Sequence, residues 1–244
     1  MSTLLLDRAE FAPYFRSCRI PFDKESIAMQ KIFEFRFQVY CRECGFLPAA
    51  DYPDGREVDE YDANAIHFCA YNAKDELVGY VRLVRPTASG VFPFQAHCPT
   101  LLDGVTLPEP SKSVEVSRLM VRRDYRRRGG DTLAGVNLES DSMQREDDAH
   151  ATRDRSPQIL LSLYRQVYTY IRNNDIQYWY AAMESSLMVV LSRMKFCFRQ
   201  VGVQTDYYGP VAPYLANITD TEACLRAANP ALLTWLQQPE SNHV

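Results

Sequence analysis

The stretch at positions 115–130 constrains the fold more than any other. It begins as an alternating, β-rich run, Glu115-Val116-Ser117-Arg118-Leu119-Met120-Val121, and continues into Arg122-Arg123-Asp124-Tyr125-Arg126-Arg127-Arg128-Gly129-Gly130. Six arginines fall between Arg118 and Arg128. A strand that ends in such a turn just before a helix can aim backbone N–H groups and guanidinium forks at a pyrophosphate. A solvated basic loop is the competing reading. The chain has no G-x-G-x-x-G and no P-loop signature, so nucleotide folds that cradle phosphate by those motifs lose support.

Around this stretch the periodicity is readable. Apolar residues at loose helical spacing predict a long helix over 23–44, stopped by Gly45. Two β-rich runs, 66–71 and 77–84, flank a polar turn and predict a hairpin. Five prolines between 85 and 112 predict an irregular connection into the strand at 114–121. Pro157 opens a helix to about 173 with one broad apolar face. A strand at 176–183, a helix at 185–195, strands at 198–206 and 213–218, and a mainly helical 221–238 broken at Pro230 complete the reading. This order predicts one α/β domain around a mixed, mainly antiparallel sheet, its later strands joined by helical crossovers. The acidic, apolar-poor segment 130–156 is expected to be a mobile insertion, and 220–244 a helical C-terminal extension.

Charge narrows the partners. The chain has 27 Lys and Arg against 31 Asp and Glu, a formal net charge of −4. That excludes a broad nucleic-acid surface, yet the basic run at 122–128 and the acidic run at 139–148 nearly cancel, leaving room for a local anion dock. No apolar run approaches the roughly 18 residues of a bilayer span, and the first ten residues lack signal-peptide character. A cytoplasmic setting is expected. Seven scattered cysteines, an odd number in a long chain, are expected to be reduced thiols. Cys41-x-x-Cys44 without a second pair is weak evidence for zinc, so no metal is expected.

A second constellation is Glu57-Val58-Asp59-Glu60-Tyr61-Asp62, four carboxylates in six residues. Such a cluster repels itself unless it meets cations, and the bland reading is a solvated acidic loop. Arg36, Arg82 and Arg118 are candidate partners.

The basic turn, Arg126-Arg127-Arg128-Gly129, resembles the first half of the pyrophosphate motif of GNAT N-acyltransferases, although Asp131 stands where that motif has Gly or Ala. The order Arg36-x-x-Val39-Tyr40, Gly45-Phe46, Glu57-x-Asp59-x-x-Asp62, Arg82-Leu83 and Glu115-x-Ser117-Arg118 resembles the acyl-homoserine-lactone (autoinducer) synthases. Closer still, Phe35 to Cys41, Tyr52-Pro53-Asp54-Gly55, Asp59 to Asp62, Val81 to Val84, Phe92-Pro93, His97-Cys98 and Ser117-Arg118 resemble the acyltransferases associated with PEP-CTERM/exosortase systems. Tyr208-Gly209-Pro210 and Pro213-Tyr214 are similar to a turn shared with long-chain N-acyl amino acid synthases.

The resemblance implies a GNAT-like three-layer α/β/α domain and aminolysis of a long-chain acyl thioester. Glu115, Arg36 and Asp59 form the expected catalytic set, with Glu115 as general base. Glu57, Asp62, Arg82, Ser117 and Arg118 are expected to bind the acceptor amine. Leu119, Met120, Val121, Arg126, Arg127, Arg128 and Gly129 are expected to hold the acyl donor, an acyl-carrier protein or acyl-CoA. The surplus arginines suit an acidic carrier protein. No tightly bound cofactor is expected. The acceptor is an amino acid or S-adenosylmethionine, and Phe46, where many autoinducer synthases have Trp, leans away from the latter. A silent acyl-carrier or nucleic-acid binding module is the non-enzymatic alternative, and Cys98 beside His97 an alternative nucleophile. The aromatic residues from Tyr164 to Tyr180, and Met183 with Leu187, read either as core or as walls of an acyl pocket.

Strict alternation poses one geometric problem. It puts Glu115 and Ser117 on one sheet face and Arg118 on the other, so a β-bulge is needed if all three share a site.

Overall fold

The computed structural model describes residues 15–126, 156–207 and 209–238. Arg127, Arg128, Gly129, Asp131, Tyr208 and nearly all of the expected acidic insertion therefore lie outside the described residues.

Strand β1 (Arg16–Ile20) lies antiparallel to β2 (Ala65–Tyr71), which forms a hairpin with β3 (Leu77–Val84). Between β1 and β2 stands α1 (Ile27–Phe37), which passes directly into a π-helical turn, Gln38–Glu43. A short helix, α2 (Pro93–His97), precedes β4 (Ser113–Val121), which pairs antiparallel with β3. Helix α3 (Ser156–Asn173) crosses to β5 (Tyr178–Glu184), parallel to β4. Then come α4 (Ser185–Arg193), β6 (Phe198–Gln200), β7 (Thr205–Asp206) and β8 (Pro210–Asn217), with α5 (Ile218–Ala228) and α6 (Pro230–Gln237) last. The strands form one mixed sheet in the order β1-β2-β3-β4-β5-β8-β6, with β7 on β8.

Helices cover both faces. On one, α3 to α6 bury Leu160, Leu163, Leu191, Leu225, Leu232 and Leu236 against Val81, Val116, Trp179 and Ala216. Gly79 of β3 allows the close approach of α3, because a Cβ there would sit 2.5 Å from Ile159 Cγ2. The opposite face carries two smaller apolar clusters. In the first, Met29, Ile32 and Phe33 of α1 pack on Cys69, Tyr80 and Met120. The second joins Phe92 and Phe94 to Tyr180, Val201 and Leu215. The gap between those two clusters is where the polar residues of β4 emerge.

Several expectations need correction. Strand β1 was not anticipated, being short and half exposed. The proline-rich connection contains α2, because Pro93 fits a first helical turn and Gln95 Oε1 accepts the Phe92 N–H at 2.8 Å. The strand expected at 198–206 is two short pieces, β6 and β7, and β8 starts at Pro210 rather than 213. The cysteines are not all thiols. Cys197 and Cys224 form a disulfide, their Cα atoms brought to 6.8 Å where α5 packs beside the segment after α4; Cys18, Cys41, Cys44, Cys69 and Cys98 stand outside any disulfide.

Candidate active site

Arg36 owes its position to helical periodicity. The buried residues of α1 are Met29, Ile32, Phe33 and Arg36, so the arginine occupies the fourth place on an otherwise apolar stripe. Fully buried, it must be met by acids. Its Nε donates to Glu57 and its Nη1 to Asp62. The Glu57 N–H donates to the Phe33 carbonyl at 3.1 Å, which ties the acidic loop to the helix.

Arg82, from β3, donates to both oxygens of Asp59 and to Asp62 Oδ1, each at 2.6 Å. Arg118, from β4, donates to Glu57 Oε1 and Asp59 Oδ2, both at 3.1 Å, and lies 4.9 Å over the Tyr40 ring. Three guanidinium groups thus face three carboxylates on three different elements, and the cluster is neutral. Ion pairing outweighs desolvation here: Glu57 and Asp59 are held below the usual carboxylate range, while Arg36, Arg82 and Arg118 are pushed above the usual arginine value. Asp59 is the one acid of the three that is not fully enclosed, its side chain 19% exposed. Beneath the cluster, His67 bonds to the Tyr80 hydroxyl at 2.7 Å and to the Asp62 carbonyl at 3.1 Å. Burial lowers the His67 pKa to about 4, so the ring is neutral at pH 7.

The bulge required by the sequence is present. Tyr80 opposes Met120 but Arg82 opposes Ser117, so β4 has one more residue than β3 across that interval. Arg118 absorbs it with φ of +55°, a left-handed conformation rare for a side-chain-bearing residue. Val114 and Val116 therefore face α3 while Glu115, Ser117 and Arg118 share the opposite face.

Strands β4 and β5 pair only from Ser113↔Tyr178 to Val116↔Ala181. Beyond that they part, and a cleft opens between them. Glu115, Ser117, Arg118 and Leu119 line one side, Ala181 to Glu184 the other, with Tyr40, Phe46, Tyr164, Leu187 and Tyr207 around the rim and floor. Glu115 is 3% exposed. Its Oε2 accepts the Phe94 N–H at 2.9 Å, and burial nevertheless raises its pKa from 4.5 to about 8. At the mouth, His97 of α2 stacks on Tyr207 with ring centroids 3.9 Å apart.

The expected residues separate into groups. Glu115, Ser117, Arg118 and Leu119 line the cleft, whereas Arg36, Glu57 and Asp62 stand behind it. Arg82 comes within only 3.5 Å of Ser117, a weak contact. The side chains of Met120 and Val121 turn into the two cores, away from the cleft. Arg126 pairs with Glu43. Phe94, Tyr207 and the His97 stack were missed by sequence reasoning, because a backbone N–H donor and cross-fold ring contacts leave no motif. Among the described residues no group of three or more His, Cys, Asp and Glu is placed to hold a metal, and no helix is long and apolar enough to cross a membrane.

Residues 35–135 match the acetyltransferase (GNAT) domain family. No curated protein matches the chain by sequence. Among solved structures, TofI in a ternary complex with an inhibitor and MTA superposes with a TM-score of 0.59 at 15% identity, over 89% of this chain and 99% of TofI. BjaI, a CoA-dependent acyl-homoserine lactone synthase solved with SAM and isopentyl-CoA, gives 0.57 at 18%, over 86% and 87%. The AHL synthase LasI gives 0.57 at 17%, over 87% and 94%. The chain has the GNAT fold, and the acetyltransferase-domain match marks it as an enzyme of the acyltransferase class.

Proposed function

We propose that this protein is an N-acyltransferase that moves a long-chain acyl group from a thioester to the amine of an amino acid or related small molecule. One observation carries the reading: Glu115, a buried carboxyl with a pKa of about 8, opens onto the cleft between β4 and β5 beside the arginine–carboxylate cluster. A base tuned near neutral pH matches the task of deprotonating an ammonium.

Glu115 takes one proton from the ammonium, directly or through a water, and releases it to solvent. The nitrogen lone pair attacks the thioester carbonyl and the C–N bond forms; Glu115 then takes the second N–H proton, and the C–S bond breaks as that proton passes to the departing thiolate. A backbone N–H beside the bulge at Arg118, near Leu119 or Met120, is assigned as donor to the oxyanion. Arg118, which lines the cleft, and Asp59, its partner and the most exposed acid of the cluster, are suited to the carboxylate and ammonium of the acceptor. Arg36, Glu57, Asp62 and Arg82 act through them as positioning residues. The apolar wall of Leu119, Met183 and Leu187 takes the acyl chain. Arg126, with Arg127, Arg128 and Gly129 outside the described residues, is assigned to the phosphate of the donor, with an acidic carrier protein preferred to CoA. Association with PEP-CTERM/exosortase systems and a cytoplasmic setting follow from the sequence resemblance and composition.

A second reading, S-adenosylmethionine as acceptor, is favoured by the shared fold with BjaI and LasI and by the same two acceptor contacts. Purified protein incubated with long-chain acyl-carrier protein or acyl-CoA and a panel of amino acids or S-adenosylmethionine decides between them. Free thiol with a new acyl-amide mass supports the proposal, and an acyl-homoserine lactone supports the second reading. Thioester bound but never consumed across the panel overturns both in favour of a silent binding module.

A further inference from the structure

At the border of the sheet away from the cleft, two thiols oppose each other. Register places Cys18 of the outermost strand, β1, directly across from Cys69 of β2. Both belong to one face: Cys69 is a fully buried member of the apolar cluster under α1, and Cys18 packs against that same cluster. Neither is in a disulfide. Directly opposed residues of an antiparallel pair have Cα atoms about 4.5–5.5 Å apart, within the roughly 4.4–6.8 Å that a disulfide spans. The strand pairing itself thus sets the spacing that a bond between the two sulfurs requires.

The two thiols are not equivalent. Cys18 is half-buried, and Arg16, two residues earlier on the same strand, donates from Nη1 to its sulfur at 3.8 Å. Arg16 also lies 4.5 Å over the Tyr71 ring and pairs with Asp75, so its cation is held beside the more accessible sulfur. Cys69 shares its cluster with Met29, Phe33 and Tyr80, and burial pushes its thiol up. A small reagent arriving from solvent therefore meets Cys18 first, and Cys69 stands behind it to resolve the product.

We infer that Cys18 and Cys69 are a redox-active dithiol that closes into a cross-strand disulfide when the protein meets a low-molecular-weight disulfide. The Cys18 thiolate attacks one sulfur of the reagent, the reagent's S–S bond breaks, and the departing thiolate is protonated. Cys69 then gives up its proton and attacks the Cys18 sulfur, expelling the second thiolate. Two protein thiols are oxidised to one disulfide, the reagent is reduced to two thiols, and the two protons lost by the cysteines balance those gained. The bond ties the outermost strand to its neighbour. Because β1 leads through 21–26 into α1, whose Met29 shares the cluster with Cys69 and whose Arg36 meets Glu57, oxidation fixes the strand that launches that helix. The inference stands apart from the acyl-transfer reading.

The test is peptide mapping of the full chain after incubation with oxidised glutathione, with tryptic digestion and mass spectrometry in the absence of reductant. The expected product is Ser17–Arg19 joined to Glu57–Lys74, the peptides that hold Cys18 and Cys69. Cys18→Ser should abolish the link, and Cys69→Ala should stop the reaction at Cys18 carrying one glutathione. In the linked wild type, the amides of β1 bonded to β2 should exchange with deuterium about tenfold more slowly than in the reduced form, and dithiothreitol should restore the faster rate. The wild-type map decides the matter whether or not either variant folds. Cys18 left as the glutathione adduct in the wild type, either cysteine joined to a different one, or both recovered as thiols overturns the inference. Unchanged exchange in the linked form overturns the fixing of β1.

Discussion

Two buried acidic regions lie side by side on the same face of the sheet and behave in opposite ways. In the cluster, Glu57 and Asp59 are surrounded by guanidinium groups and held ionised. In the cleft, Glu115 has a single backbone N–H partner among its close contacts, and burial drives its carboxyl toward the neutral form. Equal residue types at similar depth thus acquire different chemistry from the partners supplied. The saturated region is built to hold position, and the under-partnered one to exchange a proton.

The strongest way to break this contrast is Glu115→Gln, which keeps shape and removes the base. The chemical step should slow by about 10²–10⁴-fold, measured by single-turnover release of thiol, while the folded circular dichroism spectrum persists. An unchanged rate would end the assignment of Glu115. The converse substitution, Asp62→Ala, strips the cluster of one anion and leaves Arg36 and Arg82 short of a partner. It should cost about 3–5 kcal/mol of stability, read by urea unfolding, and a loss under 1 kcal/mol would show that the cluster is solvated in solution.

Titration sharpens the comparison without mutation. Glu115 has a folded pKa of about 8 against an ordinary 4.5, so the folded state binds the extra proton between those values. Its contribution to stability is fully present below pH 4.5 and is lost as pH rises through about 8, and Glu115→Gln should flatten that slope. Glu57 and Asp59, held low, contribute above the ordinary carboxylate range, and that stability fades as pH falls through their depressed values. The rate of acyl transfer should climb with a limb near pH 8 as Glu115 ionises. The smallest effect concerns Tyr168→Phe, which removes the hydroxyl that donates to Glu222 at 2.7 Å and should cost about 0.5–1.5 kcal/mol of stability, read by urea unfolding.

Much of this arrangement is legible in the sequence, and the reasons are local. The hairpin showed in two β-rich runs around Asn72, and α3 in its broad apolar face. The need for a bulge at Arg118 followed from counting alternation between Glu115 and Arg118, and the register slip opposite Tyr80 and Arg82 supplies it. Arg36 is named from the sequence as a partner of the acids, but its place on the stripe of Met29, Ile32 and Phe33 comes from the structure alone. What stayed hidden depends on contacts distant in sequence. The insertion of β8 between β5 and β6, the Cys197–Cys224 bond, the Phe94 N–H on Glu115 and the His97–Tyr207 stack all join segments whose own sequences say nothing of each other.

The four-residue seam between β4 and β5 has a consequence for what can enter the molecule. A sheet ordinarily has two borders, both outward, where another chain can add itself and start aggregation. Here the strands separate after Val116 and Ala181, giving the sheet a third border that faces inward. Tyr40 and Tyr207 stand beside it, so whatever occupies the opening meets backbone groups without a cross-strand partner, and an occupant carrying its own amide donors and acceptors along an extended arm would satisfy them.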